Sequence, residues 1–446
     1  MRVARVGALL CAVLAQRALA FDLLDAWRAT LEHDAAYAAA AAEYRAGQEQ
    51  GAQGLALLLP QLGLTSGQSR ASQNQRSYAD DPGRRLKNRT HSNGVNLTQP
   101  LFDVARYANY RQGLIKQDIA EIEFKNAQQQ LMLDVASAYF AVLLAQDTLA
   151  ATEAAKRAMW NRWQQAISEM ELGSAMMTDV YEAQAGYDNA RADEIQGQSE
   201  LELARQTLAR LSGLDALQIK PLNTRMLLQE PEPATLQGWL DLALDASLKI
   251  RGKQRAWALA QQGLLEKRAG HLPVLQFNAG YQETKNSEPD NRLPGPARAR
   301  GTTLGLNLTL PLFSGGSTQS HVREAAARLD GARDQMEDAR RQTREEVRRA
   351  WLGVSNGAAL VRAQEQRLIS ARSKLEATRL GREVGVRGNL DLLRAEQDYS
   401  DVLKQRANAR YRYLTAKLQL ARAAGTLDET ILRQANLALG PADASP

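Results

Sequence analysis

Two periodicities divide this chain. Apolar and polar residues alternate in four short segments. After Pro60, "QLGLTSGQS" sets Leu62 and Leu64 on one face, and "THSNGVNLTQ" sets Val95 and Leu97 against Asn96 and Thr98. Further on, "VLQFNAGYQ" aligns Leu275, Phe277, Ala279 and Tyr281. "TTLGLNLTL" aligns Leu304, Leu306, Leu308 and Leu310 against Thr303, Gly305, Asn307 and Thr309. A period of two predicts strands with one apolar face. Each run is about ten residues, the length of a tilted membrane-spanning strand. The segments between the paired strands, "NQRSYADDPGRRLKN" and "ETKNSEPDNRLPGPARAR", carry turn residues and most of the local charge.

The remainder follows a helical period. No proline occurs between Leu101 and Lys220 or between Leu312 and Gly440, and both stretches are rich in Ala, Leu, Gln, Glu and Arg. Leu131, Val135, Ala138, Val142, Ala145 and Leu149 form a heptad seam, which Val347, Ala350, Val354, Gly357 and Val361 repeat loosely. Small residues in the seam predict close coiled-coil packing rather than a leucine zipper. The strongest breakers are Gly173 in "ELGSAMMTD" and Gly385 with Gly388 in "EVGVRGNLD", which mark hairpin tips. From Pro100 to Gly173 a helix would run on the order of 110 Å at ~1.5 Å per residue, and the return arm to Gly213 about half that. Residues 21–59 read as one further helix, with Asp22 able to cap it. Two half-length helices stacked beside one full-length helix would give a cylinder wall of even thickness.

The same order of elements occurs twice. "NLTQPLFD" (96–103) returns as "NLTLPLFSGG" (307–316), and Gly173, Asp179 and Gly213 return as Gly385, Asp391 and Gly425, at a spacing of about 212 residues. The chain therefore divides into an N-terminal segment 1–20, a first repeat 21–233, a second repeat 234–440 and a tail 441–446. The strand pairs fall at 60–100 and 273–311, and the helical hairpins at 101–213 and 312–425. Pro100 with Phe102, and Pro311 with Phe313, mark where strand gives way to helix. Proline lacks the N–H that a ladder needs and so should end pairing there. The fold class is mixed α+β, mostly α.

Residues 1–20 read as an export signal: Arg2 and Arg5 precede an apolar run from Val6 to Ala15, and Ala18-Leu19-Ala20 fits a cleavage site. The run of about ten residues is too short for a bilayer anchor. Cys11, the one cysteine, lies inside it, which leaves the exported part without a disulfide or thiol metal site. The full chain has 56 basic and 50 acidic residues, a net charge of +6. Loss of Arg2, Arg5 and Arg17 lowers the net charge to about +3, and stretches such as "REEVRRA" interleave the signs, so no nucleic acid is expected as partner. Beyond the signal no run of 18 apolar residues occurs, so entry into a membrane would be through strands. Four strands cannot close a barrel, which needs about eight. They close with strands of other copies or lie on a soluble protein, and the export signal with a single apolar face favours the first.

No enzyme signature and no cofactor site is expected. His33, His91, His271 and His321 are scattered rather than grouped with carboxylates at ligand spacing, and no P-loop, G-x-G-x-x-G or G-x-S-x-G sequence occurs. The other class of reading is a periplasmic coiled-coil adaptor or scaffold. Adaptors have one hairpin and usually an anchor, whereas this chain shows two hairpins and paired amphipathic strands.

Three stretches resemble the TolC family of outer-membrane channel proteins: "LLLPQLGL", the paired Pro-Leu-Phe junctions, and "VGVRGNLDLLRAEQDY" at the second tip. The resemblance spans nearly the whole exported chain. It implies a homotrimer whose twelve-stranded β-barrel lies in outer-membrane lipid and continues into a periplasmic α-barrel. The implied partners are a periplasmic adaptor and an inner-membrane ABC transporter or proton-driven pump. It also implies a periplasmic constriction held by ionic links and ringed by acidic residues. By position, Arg387 matches the linking arginine, Asp179 its acidic partner and Asp391 the first ring aspartate. Arg394 stands at the second ring position and Arg382 at that of a linking tyrosine, both departures. Helix capping is the alternative role for Asp179 and Asp391. "QPLFDVARYANYRQG" resembles channels of type I protein secretion, with small-molecule efflux as the alternative cargo.

Overall fold

The computed structural model describes residues 21–75, 84–223, 231–286 and 298–440; the export segment, the tail and the tips of both strand pairs lie outside the described residues. The first repeat comprises α1 (Leu23–His33), α2 (Ala35–Ala56), β1 (Gln61–Gln75), β2 (Arg84–Phe102), α3 (Val104–Glu171) and α4 (Met177–Ser212). The second comprises α5 (Leu236–Ala246), α6 (Leu248–Arg268), a single 3-10 turn, β3 (Val274–Asn286), β4 (Arg298–Thr309), α7 (Ser317–Glu383) and α8 (Asn389–Ala424), followed by α9 (Glu429–Asn436). The internal repeat is thus a repeat of structure. Two compact units cut across it, each taking segments of both repeats: residues 1–42, 123–251 and 339–446 form one, 43–122 and 252–338 the other.

The expected single helix over 21–59 is two helices. Asp22 does cap the first, its carboxylate accepting the N–H of Leu24 and Asp25 while Asp25 accepts the N–H of Asp22. The chain then leaves the helix at Asp34, in extended backbone, and Asp34 caps α2 by accepting the N–H of Tyr37 at 2.7 Å. The second repeat breaks likewise at Ser247. A polar residue that offers its side chain to the next helix makes the break inexpensive, and an apolar pattern alone does not reveal it.

In the unit built from 1–42, 123–251 and 339–446, the heptad seam forms the core. Leu131, Val135, Val142, Val347, Val354 and Val361 are buried with Tyr139, Phe140 and Tyr413. A Cβ added at Gly357 would stand 3.4 Å from the Tyr413 ring, so the small residue sets the helix separation. Part of α3 is apolar enough by mean hydropathy (1.3) to suit a membrane, but 56% of that window is buried inside the chain, where it packs as core. Two buried tyrosine hydroxyls find partners: Tyr139 donates to the carbonyls of Phe21 and Lys220. Tyr411 donates to Asp147 at 2.8 Å, and burial raises the pKa of both groups.

The other unit holds a four-stranded antiparallel sheet in the order β1-β2-β3-β4. Beside it α2 and α3 approach so closely that a Cβ at Gly113 would lie 2.4 Å from the Gln50 carbonyl. Pro100 does not end strand pairing as expected. β2 runs through it to Phe102, with Pro100 opposite Gln276 and a bulge between Pro100 and Phe102. Pairing with β1 reaches only Thr98, opposite Gln61, so at Pro100 the strand has a neighbour on one side alone and the missing N–H is tolerated. The two junctions also differ. Asp103 alone separates β2 from α3, capping it through the Arg106 N–H at 3.0 Å. In the second repeat β4 stops at Thr309, and Pro311 and Phe313 lie in a loop closed by Gly315 and Gly316 at positive φ.

Gly425 and Gly173 both end helices at positive φ, +79° and +74°. A Cβ at Gly425 would stand 2.4 Å from the Ala246 carbonyl, whereas one at Gly173 meets nothing. Gly173→Ala should cost only about 1 kcal/mol from backbone conformation. Gly425→Ala should lower the thermal unfolding midpoint clearly further; equal shifts would mean that the Ala246 contact yields freely.

Candidate functional site

Residues directly opposite one another in antiparallel strands share a face. The register therefore gathers the alternating leucines of both repeats onto one side of the sheet. Leu62, Leu97, Ala279 and Leu304 form one cross-strand row, and Leu64, Val95, Tyr281 and Thr302 the next. Phe277 with Leu306, and Phe102 with Leu275 and Leu308, continue the band. The bulge after Pro100 puts Phe102, rather than Leu101, opposite Leu275. Leu62, Leu64 and Leu304 are 72%, 78% and 70% exposed in the single chain. The opposite face carries Gly63, Asn96, Gly280 and Thr303, then Thr65, Gly94, Gln282 and Gly301. An apolar face backed by an uncharged polar one suits a wall between lipid and a water-filled lumen. The outer edges of β1 and β4 have no strand partner among the described residues.

The helical hairpins turn where glycine breaks the pattern. Gly173 and Gly385 take φ of 74° and 79°. At each, a bond back across the last turn closes the helix, Ser174 N–H to the Glu169 carbonyl and Val386 N–H to that of Gly381. Gly388 is the N-cap of α8 in extended backbone. Asp179 accepts the Met176 N–H at 3.0 Å and Asp391 the Gly388 N–H at 3.4 Å, so within the chain both carboxylates cap the returning helices. Negative charge at a helix N-terminus is favourable in its own right. Asp179 makes no ion pair with Arg387 inside one copy. Arg387 reaches Asp391 instead, at 3.9 Å and well exposed. Arg394 is exposed, with no ion pair among the described residues.

The strong link at this end is one the sequence did not indicate. Arg382 donates to Glu169 Oε1 and to Asn389 Oδ1, each at 2.6 Å, and so ties the second hairpin to the first. Higher up, Glu396 is only 6% exposed and lies between Arg162 at 3.5 Å and Arg379 at 3.3 Å. Burial lowers the pKa of Arg162, and Glu396 opposes that shift. One signal was available: Glu396 falls on the stripe of Leu392, Ala395 and Tyr399 that packs with Leu375, a carboxylate placed among apolar positions. Its partners, on other helices, have no fixed spacing from it in sequence. Among the described residues no cluster of ligating side chains suits a metal.

The family model described as outer membrane efflux protein matches residues 27–214 and 239–426, one match per repeat. The chain belongs to this family. It is a protein of the Gram-negative outer membrane, and as a channel-family member it is a conduit rather than an enzyme. It is 33% identical to the alkaline protease secretion protein AprF of Pseudomonas aeruginosa, over 94% of this chain and 88% of that protein. It is 30% identical to the outer membrane protein TolC of Vibrio cholerae, over 98% and 97% respectively. The fold is similar to that of the outer membrane protein VceC of Vibrio cholerae, with a TM-score of 0.77 over 90% of this chain and 96% of that one, at 19% identity. The resemblance to the TolC family is borne out.

The buried Glu396 cluster and an exposed pair offer a contrast. Glu396→Ala strands Arg162 in a half-buried site, which typically costs ~3 kcal/mol or more. Trypsin should then cut the ends of the hairpins markedly faster. Lys374→Ala removes only the exposed pair with Asp398 and should leave cleavage unchanged. Equal cleavage rates in the two variants would deny the cluster a structural role.

Proposed function

We propose that this chain is the outer-membrane channel of a type I protein secretion machine, a passive conduit that receives its cargo from an inner-membrane ABC transporter through a periplasmic adaptor. The observation that carries the reading is near full-length similarity to two protease secretion proteins, AprF and, at 32% identity over 94% of the chain, PrtF of Dickeya chrysanthemi. Small-molecule efflux, driven by a proton-coupled pump, is the second reading, favoured by the family's own description as outer membrane efflux protein.

Assembly as a homotrimer, the state that the family resemblance implies, is compatible with the sheet's own constraint. Four antiparallel strands leave β1 and β4 as edges running in opposite directions. The β4 edge of one copy can therefore accept the β1 edge of the next without breaking the antiparallel pattern. Three copies give about twelve strands, within the range that closes. Closure removes the open edges and turns the leucine band to lipid.

The hairpin ends form the periplasmic constriction. Within each copy, Arg382–Glu169 holds the second hairpin against the first, while the exposed Arg387 and Arg394 and the half-buried Asp179 and Asp391 remain to meet neighbouring copies. A mouth with Arg394 in place of an acidic residue selects cations less strongly than a ring of carboxylates alone.

Deletion of the chain should abolish release of the protease or toxin whose transporter genes lie nearby and leave drug sensitivity unchanged; the reverse pattern would establish efflux instead. In planar bilayers Arg382→Ser and Glu169→Gln should each raise single-channel conductance, and the double variant should match the larger single effect. Effects that add in full would show that the two side chains do not act as a pair. Arg387→Ser should also raise conductance through loss of contacts between copies.

A further inference from the structure

The strand residues that the channel wall does not need are not scattered. Above the row of Leu64, Val95, Tyr281 and Thr302 the same face changes character. The next row is Ser66, Asn93, Glu283 and Arg300, and the one after it Gln68, His91, Lys285 and Arg298. Arg70 then stands opposite Arg89, and Ser72 opposite Lys87. Between the row of Ser66 and that of Ser72 this face thus carries Arg70, Lys87, Arg89, Lys285, Arg298 and Arg300 against one carboxylate, Glu283. The other face, along the same length, carries Ser, Thr, Asn, Gln, Gly and Ala and no charge at all. Solubility alone would place charge on the lumen face as readily.

The position of the charge matters as much as its sign. The first charged row lies two residues beyond Tyr281, about 7 Å along the strand, Arg70 and Arg89 roughly 20 Å beyond it and Lys87 about 26 Å. Tyrosine is the side chain that settles at the boundary between acyl chains and head groups. At the other end of the band the row of Phe102, Leu275 and Leu308 has no cation on the face beside it. The basic belt therefore occupies one leaflet only, at the end where both strand pairs reverse. Glu283 gathers part of it: Arg298, Lys285 and Arg300 all approach that single carboxylate, Lys285 at 3.4 Å and Arg300 at 3.7 Å. Three cations drawn together around one anion retain a net positive charge and spare N–H donors, which suits a phosphate group.

We propose that this belt is a binding surface for phosphorylated glycolipid head groups of the outer leaflet. The acyl chains would lie on the leucine band and the phosphates on Lys285, Arg298 and Arg300. The inference rests on the membrane-spanning role of the sheet.

The test uses full-length protein in detergent, with native mass spectrometry against bis-phosphorylated lipid A and its dephosphorylated form. Wild type should retain the phosphorylated lipid at least tenfold more tightly than the dephosphorylated one. The variant Lys285→Gln/Arg298→Gln/Arg300→Gln should lose that preference, and Lys285→Arg/Arg298→Lys/Arg300→Lys should keep it. Equal retention of the two lipids by wild type, or an undiminished preference in the Gln variant, overturns the proposal. Should the Gln variant fail to assemble, the two-lipid comparison on wild type decides alone. Wild type that extracts from the outer membrane as a heat-sensitive oligomer yet shows no preference refutes the belt and leaves the channel intact. Wild type absent from that membrane refutes both.

Discussion

A sheet with an apolar band crossing all four strands on one face is poorly suited to water, and in a single copy most leucines of that band are exposed among the described residues. Four strands are too few to roll that face onto itself. The hydrophobic term is about 25 cal/mol per Å² of apolar surface, so a band of this size weighs heavily on where the protein can reside. The remaining features of the sheet follow from meeting that constraint. Beside the band its opposite face is small, polar and uncharged, its outer edges have no strand partner among the described residues, and its bulge at Pro100 keeps Phe102 within the band.

The helices answer a different constraint. Besides the buried core, the long helices draw stability from close approach. Glycine permits that approach, as Gly357 in the seam against Tyr413 and Gly113 of the other unit against Gln50 show. Where two hairpins must be held in register, ionic links between them act as pins. Removing either partner leaves a desolvated charge, which gives a buried pair more influence on alignment than its net stability would suggest. Glu396 between Arg162 and Arg379 fits that role, as does Arg382 on Glu169.

Sequence periodicity was enough to place the strands, the hairpin tips and the duplication, because each is a local property: alternation, a breaker in a helical run, or self-similarity at fixed spacing. It failed at Asp34 and Ser247, where one polar residue splits a helix without disturbing the apolar pattern on either side. It failed again at Pro100, since whether a proline ends a strand depends on whether a neighbour needs its N–H, which is a fact of register. The tip residues show the same limit. Capping by Asp179 and Asp391 is local and was among the roles open to them in sequence, whereas the Arg382–Glu169 link joins residues from separate repeats and has no local signature.

Duplication followed by divergence accounts for that last asymmetry. Glu169 and Arg382 lie at nearly equivalent places in the two repeats, each within the last turns of the outgoing helix before its glycine tip. Two identical tips would set like charges side by side and repel. One acidic copy and one basic copy attract, and the pair can form only between unlike hairpins. The difference between the repeats therefore carries information that neither repeat holds alone: it specifies which hairpin packs beside which. A duplicated fold supplies hairpins of matching length, and charge divergence at their tips fixes which hairpin lies beside which within the chain.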